Sequence, residues 1–188
     1  MSQSVNTSGP LILLLGGARA GKSTYATRLA QDGERASGAE ICFIATAQGL
    51  DEDMTKRIAR HRAERPTDWC TIEEPCQIDE ALQQASEAGI VIVDCLTLLV
   101  SNWLMRYEDE HECEAFLRRV TREFLALART RQQIIICVSN EVGLGLVPDT
   151  RMGRVFRDLL GRVNQDFAAA ADEVYLLVAG LPLQLKPA

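Results

Sequence analysis

Unbroken apolar runs recur along the chain, each ending abruptly in glycine or polar residues: Leu11–Leu15, Ile41–Ala45, Ile90–Asp94, Ile134–Ser139 and Val174–Val178. Most lack alternation, which predicts strands buried on both faces of a parallel sheet. Between them lie stretches with helical spacing of apolar positions, at Lys22–Gln31, Asp51–Glu64, Ile78–Glu87, Glu112–Arg129 and Arg154–Ala171. Strand and helix in alternation predict βαβ units and a three-layer α/β fold. In the last helix, Phe156, Leu160 and Val163 share one predicted buried face. Beyond it, Ala179-Gly180 separates two short apolar runs, which predicts a closing antiparallel hairpin. Residues 1–10 are polar and read as a disordered leader, and 11–188 as a single domain without repeats or linkers.

Composition narrows the class. The chain has 188 residues, enough for a substantial core. Its 20 basic and 26 acidic residues give a formal net charge of -6, which argues against a general nucleic-acid surface. No apolar run approaches the ~20 residues needed to span a bilayer, so stable membrane insertion is not expected. The polar start offers no export signal, and the reading is cytoplasmic. The six cysteines form no C-x-x-C pair, and Cys42, Cys95 and Cys137 fall within or just after strand-like runs. That pattern predicts buried reduced thiols rather than disulfides or a metal site.

The first strand runs into Gly16-Gly17-Ala18-Arg19-Ala20-Gly21-Lys22-Ser23, which satisfies G-x-x-x-x-G-K-S/T between a strand and a helix. Glycines let successive N–H groups converge on an anion, and a helix N-terminus adds its dipole there. Lys22 would reach the terminal phosphates of a nucleoside triphosphate and the Ser23 hydroxyl would help hold Mg²⁺. The fold class is then a mainly parallel, RecA-like phosphate-loop (P-loop) fold with a C-terminal β-hairpin. Ligands of such sheets sit at the carboxyl ends of the strands. Asp94 stands at one of those ends, as a second support for Mg²⁺ or as the cap of a following helix. Thr46 and Gln48 end the second strand, where spacing alone favours a turn with solvated polar residues over a ligand contact. Ser139-Asn140-Glu141-Val142-Gly143 ends the fourth, with its role open between hydrogen bonding and catalysis.

Five of the 20 basic residues fall within Lys56–Arg65, in a chain that is acidic overall. Asp51, Glu52 and Asp53 suit a helix start and Pro66 forbids continuation. A solvated basic face is the ordinary reading of such a run. Here, however, His61 lies among the arginines, and cationic neighbours favour the neutral ring, whose lone pair can act as nucleophile or base. Arg57 and Arg65 would share its helical face and could grip a phosphate. His111 lies in an acidic turn and carries no signal. Glu73 is a candidate ribose or base contact, against the commoner reading of an exposed carboxylate.

Taken together, the chain resembles the bifunctional adenosylcobinamide kinase/adenosylcobinamide-phosphate guanylyltransferase family of cobalamin (vitamin B12) biosynthesis. The resemblance rests on the phosphate loop, Ala45-Thr-Ala-Gln48, the segment Arg57–Pro66 with its R-x-x-R-H-R-x-x-R-P spacing, Ser139–Gly143, and Phe156-Arg-Asp158 through Tyr175. Ala20 stands where serine is common, and Asp94 where relatives can carry glutamate. The resemblance implies phosphorylation of adenosylcobinamide with ATP or GTP. It also implies transfer of GMP from GTP to the product through a guanylyl-histidine at His61, giving adenosylcobinamide-GDP and pyrophosphate. It further implies that Thr46, Ala47 and Gln48, the run Arg62, Ala63, Glu64, Arg65, and Glu73 and Asp94 contact the guanine nucleotide, and that the protein is a trimer. A plain phosphate-loop kinase without a covalent intermediate is the alternative. A guanine-nucleotide switch is disfavoured because no N-K-x-D segment follows a strand.

Overall fold

The unbroken apolar runs become the interior of one seven-stranded sheet. The computed structural model describes residues 8–187. In chain order the elements are β1 (Leu11–Gly16), α1 (Lys22–Ser37), β2 (Ile41–Ala45), α2 (Glu52–Ala63), β3 (Cys70–Glu73), α3 (Ile78–Gln84), β4 (Ile90–Asp94), α4 (Leu96–Leu104), α5 (Glu110–Ala128), β5 (Ile134–Val138), α6 (Arg151–Ala170), β6 (Glu173–Val178) and β7 (Leu181–Lys186). The strands lie side by side as β3-β2-β4-β5-β1-β6-β7. All pairs are parallel except β6 with β7, the expected hairpin. The interior strand β1 aligns Leu13 with Cys137 of β5 on one side and with Val174 of β6 on the other.

Each sheet face has its own core. Leu13, Ile44, Val91 and Val93 pack beneath α3–α6, where the rings of Phe124 and Phe167 meet with centroids 5.5 Å apart. On the opposite face, Ile12, Leu14, Phe43, Ile90 and Ile92 pack against Ala26 and Ala30 of α1. Small residues bring α1 close: a Cβ on Gly33 would lie 2.9 Å from Ile90 Cδ1. The helix α2 differs from the others because none of its residues is buried. Its start is fixed locally, with Asp51 accepting from the Met54 N–H at 2.7 Å and Glu52 and Asp53 in the first turn.

The structure adds two elements to the sequence reading. The edge strand β3 is four residues long and mostly exposed, too short and polar for a strand pattern. The helix α4 buries six of its nine residues, so its sequence carries no amphipathic period. Helix bounds also shift: α1 runs to Ser37 and stops at Gly38, whose φ is +70°, while Thr150 caps α6 at Arg151. Leu160 and Val163 are buried as expected, but Phe156 is only partly so. The first seven positions of the expected leader lie outside the described residues. Gly9 donates to the Arg131 carbonyl at 2.8 Å and the Pro10 carbonyl accepts from Ile135 at 3.0 Å, so the chain is already tied to the sheet before Leu11. No helix of the described residues is long and apolar enough to cross a membrane. Cys42, Cys76, Cys113 and Cys137 are buried, and all six cysteines are free thiols.

Candidate active site

At the end of β1 the backbone turns sharply. Gly16 has φ +150°, and a Cβ there would stand 2.5 Å from the Leu177 carbonyl of β6. Arg19 (φ +57°) and Gly21 (φ +93°) also take left-handed conformations, and α1 begins directly afterwards. Gly21 provides no side-chain acceptor, so the first-turn N–H groups of α1 are left for an anion. The loop is braced from behind by the β6–β7 turn: Gly180 donates to the Ala20 carbonyl at 3.0 Å. A Cβ on Gly21 would lie only 3.1 Å from Gly180 Cα.

Lys22 is buried, and its ammonium donates to the carbonyls of Gly16 at 2.9 Å and Gly17 at 2.7 Å. Burial lowers its pKa, Cys95 and Asp94 act against that shift, and the Arg57 charge adds to it. Ser23 Oγ donates to Asp94 Oδ2 at 2.7 Å. The end of β4 is in turn held by Thr46, which is fully buried. Its hydroxyl accepts from the Cys95 N–H at 2.7 Å and donates to the Cys95 carbonyl at 2.8 Å. Asn102 then donates to the carbonyls of Thr46 at 2.8 Å and Pro75 at 2.9 Å.

Above these strand ends α2 crosses without core contacts and closes a cleft of about 820 Å³. Lys22, Ser23, His61, Arg65, Glu73 and Asp94 all line it. Ala18, Arg19, Ala20, Gly21 and Ala47 line it as well. The Arg65 guanidinium lies over the Phe43 ring, 3.7 Å from its centroid. Burial lowers the Arg65 pKa, with Asp94 opposing and Arg62 adding to the shift. Arg62 is ion-paired with Glu73, linking the end of α2 to β3.

Not every expected residue faces this space. Gly16 and Gly17 form the base of the loop and hold Lys22, while Gln48, Arg62, Ala63 and Glu64 lie outside the cleft lining. The Thr46 side chain is committed to Cys95, so it shapes the wall rather than presenting a free group. Several residues outside the expected contact set also line the cleft, among them Arg57, Arg60, Thr97 and Asn140. The helical spacing of Arg57 with His61 had placed it on the same face. The strand-end position of Asn140 was the only signal for it.

The sequence profile of the family described as cobinamide kinase / cobinamide phosphate guanyltransferase matches residues 12–185. The chain belongs to this family. Among its relatives, the bifunctional adenosylcobalamin biosynthesis protein CobU of Escherichia coli is 38% identical over 185 residues, covering 94% of this chain and 99% of the relative. The protein of the same name from Salmonella typhimurium is 37% identical with the same coverage. CobP of Pseudomonas aeruginosa, also named a bifunctional adenosylcobalamin biosynthesis protein, is 44% identical over 178 residues, covering 93% of this chain and 96% of the relative. Among solved structures, a KaiC-like protein of Pyrococcus horikoshii superposes with a TM-score of 0.51 at 16% identity, over 90% of this chain and 71% of the other. That likeness concerns the fold, and agrees with a RecA-like phosphate-loop sheet. Within this cobinamide kinase family member, the phosphate loop and the arginine-flanked histidine thus open on one cleft.

Proposed function

We propose that the protein phosphorylates the aminopropanol hydroxyl of adenosylcobinamide with ATP or GTP, then transfers GMP from GTP to that phosphate through a guanylyl group carried on His61. The observation that carries this reading is the position of His61: it lines the same cleft as Lys22, on a helix that brings Arg57 into that cleft too. Family membership supplies the two substrates' chemical class.

In the guanylyl step an imidazole nitrogen of His61 attacks the α-phosphorus. The bond from that phosphorus to the bridging oxygen breaks, and the electron pair leaves with pyrophosphate. The acceptor phosphate then attacks the same phosphorus and releases the imidazole, dividing one displacement into two easier ones. Lys22 and the first-turn N–H groups of α1 stabilise charge on the departing pyrophosphate. Arg57 and Arg65 stabilise the group in transfer. The hydroxyl of Ser23 and the carboxylate of Asp94, 2.7 Å apart, are hard oxygen donors that suit Mg²⁺. When bound there, Mg²⁺ neutralises phosphate charge. Among the described residues no three His, Cys, Asp or Glu side chains form a metal cage, which fits an ion that takes its other ligands from phosphate and water. Trimeric assembly belongs to the same reading, and sedimentation velocity tests it.

The decisive experiment incubates the protein and a His61→Ala variant with Mg²⁺ and GTP labelled at the α-phosphate. Label that stays with the denatured wild-type chain, is lost in acid and survives alkali is expected, with none on the variant. An unlabelled wild type that still binds GTP would point to a plain kinase.

A further inference from the structure

In the sheet, β5 lies between β1, which carries the phosphate loop, and β4, which ends at Asp94. Asn140 follows the end of β5, and two helices clamp its main chain. Its N–H donates to Thr97 Oγ1 of α4 at 2.7 Å, and its carbonyl accepts from Asn164 Nδ2 of α6 at 3.0 Å. Ser139 Oγ donates to Asn164 Oδ1 at 2.6 Å, which fixes the orientation of that amide. Thr97, Ser139 and Asn164 are all buried, with exposures of 7% or less. One residue further on, Glu141 donates to the Gly16 carbonyl at 3.1 Å and ties this segment to the phosphate loop.

Buried polar networks are favourable only when complete, and a complete one enforces a single arrangement. What this network fixes is the main chain of Asn140, from which its side chain starts. That residue lines the cleft, and its own carboxamide has no hydrogen-bond partner among the described residues. Its position in the cleft is also informative. The loop amides and Lys22 sit at the end of β1, adjacent to β5, whereas α2 with His61 joins β2 to β3 on the far side of β4. On the nucleotide reading, the phosphate tail would lie toward the β1–β5–β4 side and the nucleoside end toward α2.

We propose that Asn140 is a catalytic residue of the phosphorylation step, its carboxamide N–H donating to an oxygen of the terminal phosphoryl group. This contact would distinguish a nucleoside triphosphate from a diphosphate and hold the group for transfer to the acceptor hydroxyl. The proposal rests on the nucleotide reading given above. In the transfer, the hydroxyl oxygen forms the new bond to the terminal phosphorus, the bond to the bridging oxygen breaks with its electron pair leaving on the nucleoside diphosphate, and the hydroxyl proton passes to solvent. Asn140 neither gains nor loses a proton. A neutral amide adds a donor beside Lys22 without adding charge.

The test measures affinity for GDP and for a non-hydrolysable GTP analogue, with phosphorylation of adenosylcobinamide, in wild type, Asn140→Ala and Asn140→Asp. One hydrogen bond to a charged group corresponds to roughly a tenfold change or more. Asn140→Ala is expected to lose about that factor of triphosphate preference and of kcat, with GDP affinity and Tm unchanged. Asn140→Asp keeps the shape but sets a carboxylate against phosphate, so it is expected to be the worse of the two. A merely structural side chain predicts the reverse order. Triphosphate preference and kcat within twofold of wild type in Asn140→Ala, or a milder Asn140→Asp, would overturn the proposal while leaving the nucleotide reading intact. A wild type that neither prefers triphosphate nor phosphorylates the acceptor would overturn both.

Discussion

Ser23 Oγ donates to Asp94 Oδ2 at 2.7 Å, a bond that reaches from the helix after β1 to the end of β4 across the intervening β5. Residues 71 positions apart thus bring two hard oxygen atoms to one point. Asp94→Asn keeps a hydrogen-bond acceptor for Ser23 but removes the charge. It should weaken the apparent Mg²⁺ affinity by roughly tenfold or more, with little loss of thermal stability. Activity titrated against Mg²⁺ checks this; an unchanged midpoint would reduce Asp94 to a bonding partner of Ser23.

Lys22→Ala should lower both activities by about a hundredfold or more, as loss of a group that stabilises transition-state charge does. Normal GTP turnover in that variant would reject the assigned site. The pH profile offers a second check. Burial lowers the Lys22 pKa from 10.5, so in the free enzyme the ammonium is lost at a lower pH than in a free lysine. The alkaline limb of kcat/KM for GTP, which reports free-enzyme groups, should therefore fall below 10.5.

The cysteines should divide sharply in reactivity. Cys70 is exposed, whereas burial pushes Cys42 and Cys95 up to about 12. At pH 8 such thiols are thiolate in only about one part in ten thousand. Native protein titrated with a thiol-reactive disulfide should show one fast thiol, with most of the rest appearing only on denaturation. Cys70→Ser and Cys76→Ser should keep activity, since neither thiol lines the cleft.

Asn102→Ala should be costly although the residue is remote from any ligand. Its amide satisfies the carbonyls of Thr46 and Pro75, and both would be left without that partner. The expected loss is about 2 kcal/mol, read as a fall in denaturant midpoint at constant m-value. Because Thr46 holds Cys95, next to Asp94, the same variant should also weaken the Mg²⁺ response.

Much of this molecule was legible in its sequence because the relevant signals are local. Strands buried on both faces announce themselves as unbroken apolar runs, and the phosphate loop is contiguous. The arginine-flanked setting of His61 raised it as a candidate and the resemblance strengthened it, but its place above the cleft was not legible, since α2 has no buried residue to record where it packs. Edge strand β3 and the largely buried α4 lacked a clear period to read. The tertiary bonds of Thr46 and Asn140 were hidden for a different reason. Each depends on partners far along the chain, Cys95 for one and Asn164 for the other, and spacing carries no trace of them.

The contact between Gly180 and the phosphate loop has a mechanical consequence. The turn behind the loop is the tip of a hairpin whose outer strand, β7, is paired on one side only and shows Leu181, Leu183 and Leu185 to solvent. The stiffness of the anion cradle is therefore borrowed in part from an edge strand of the sheet. Whatever grips or releases that strand tunes, from outside the cleft, how firmly the first loop of the chain holds its shape.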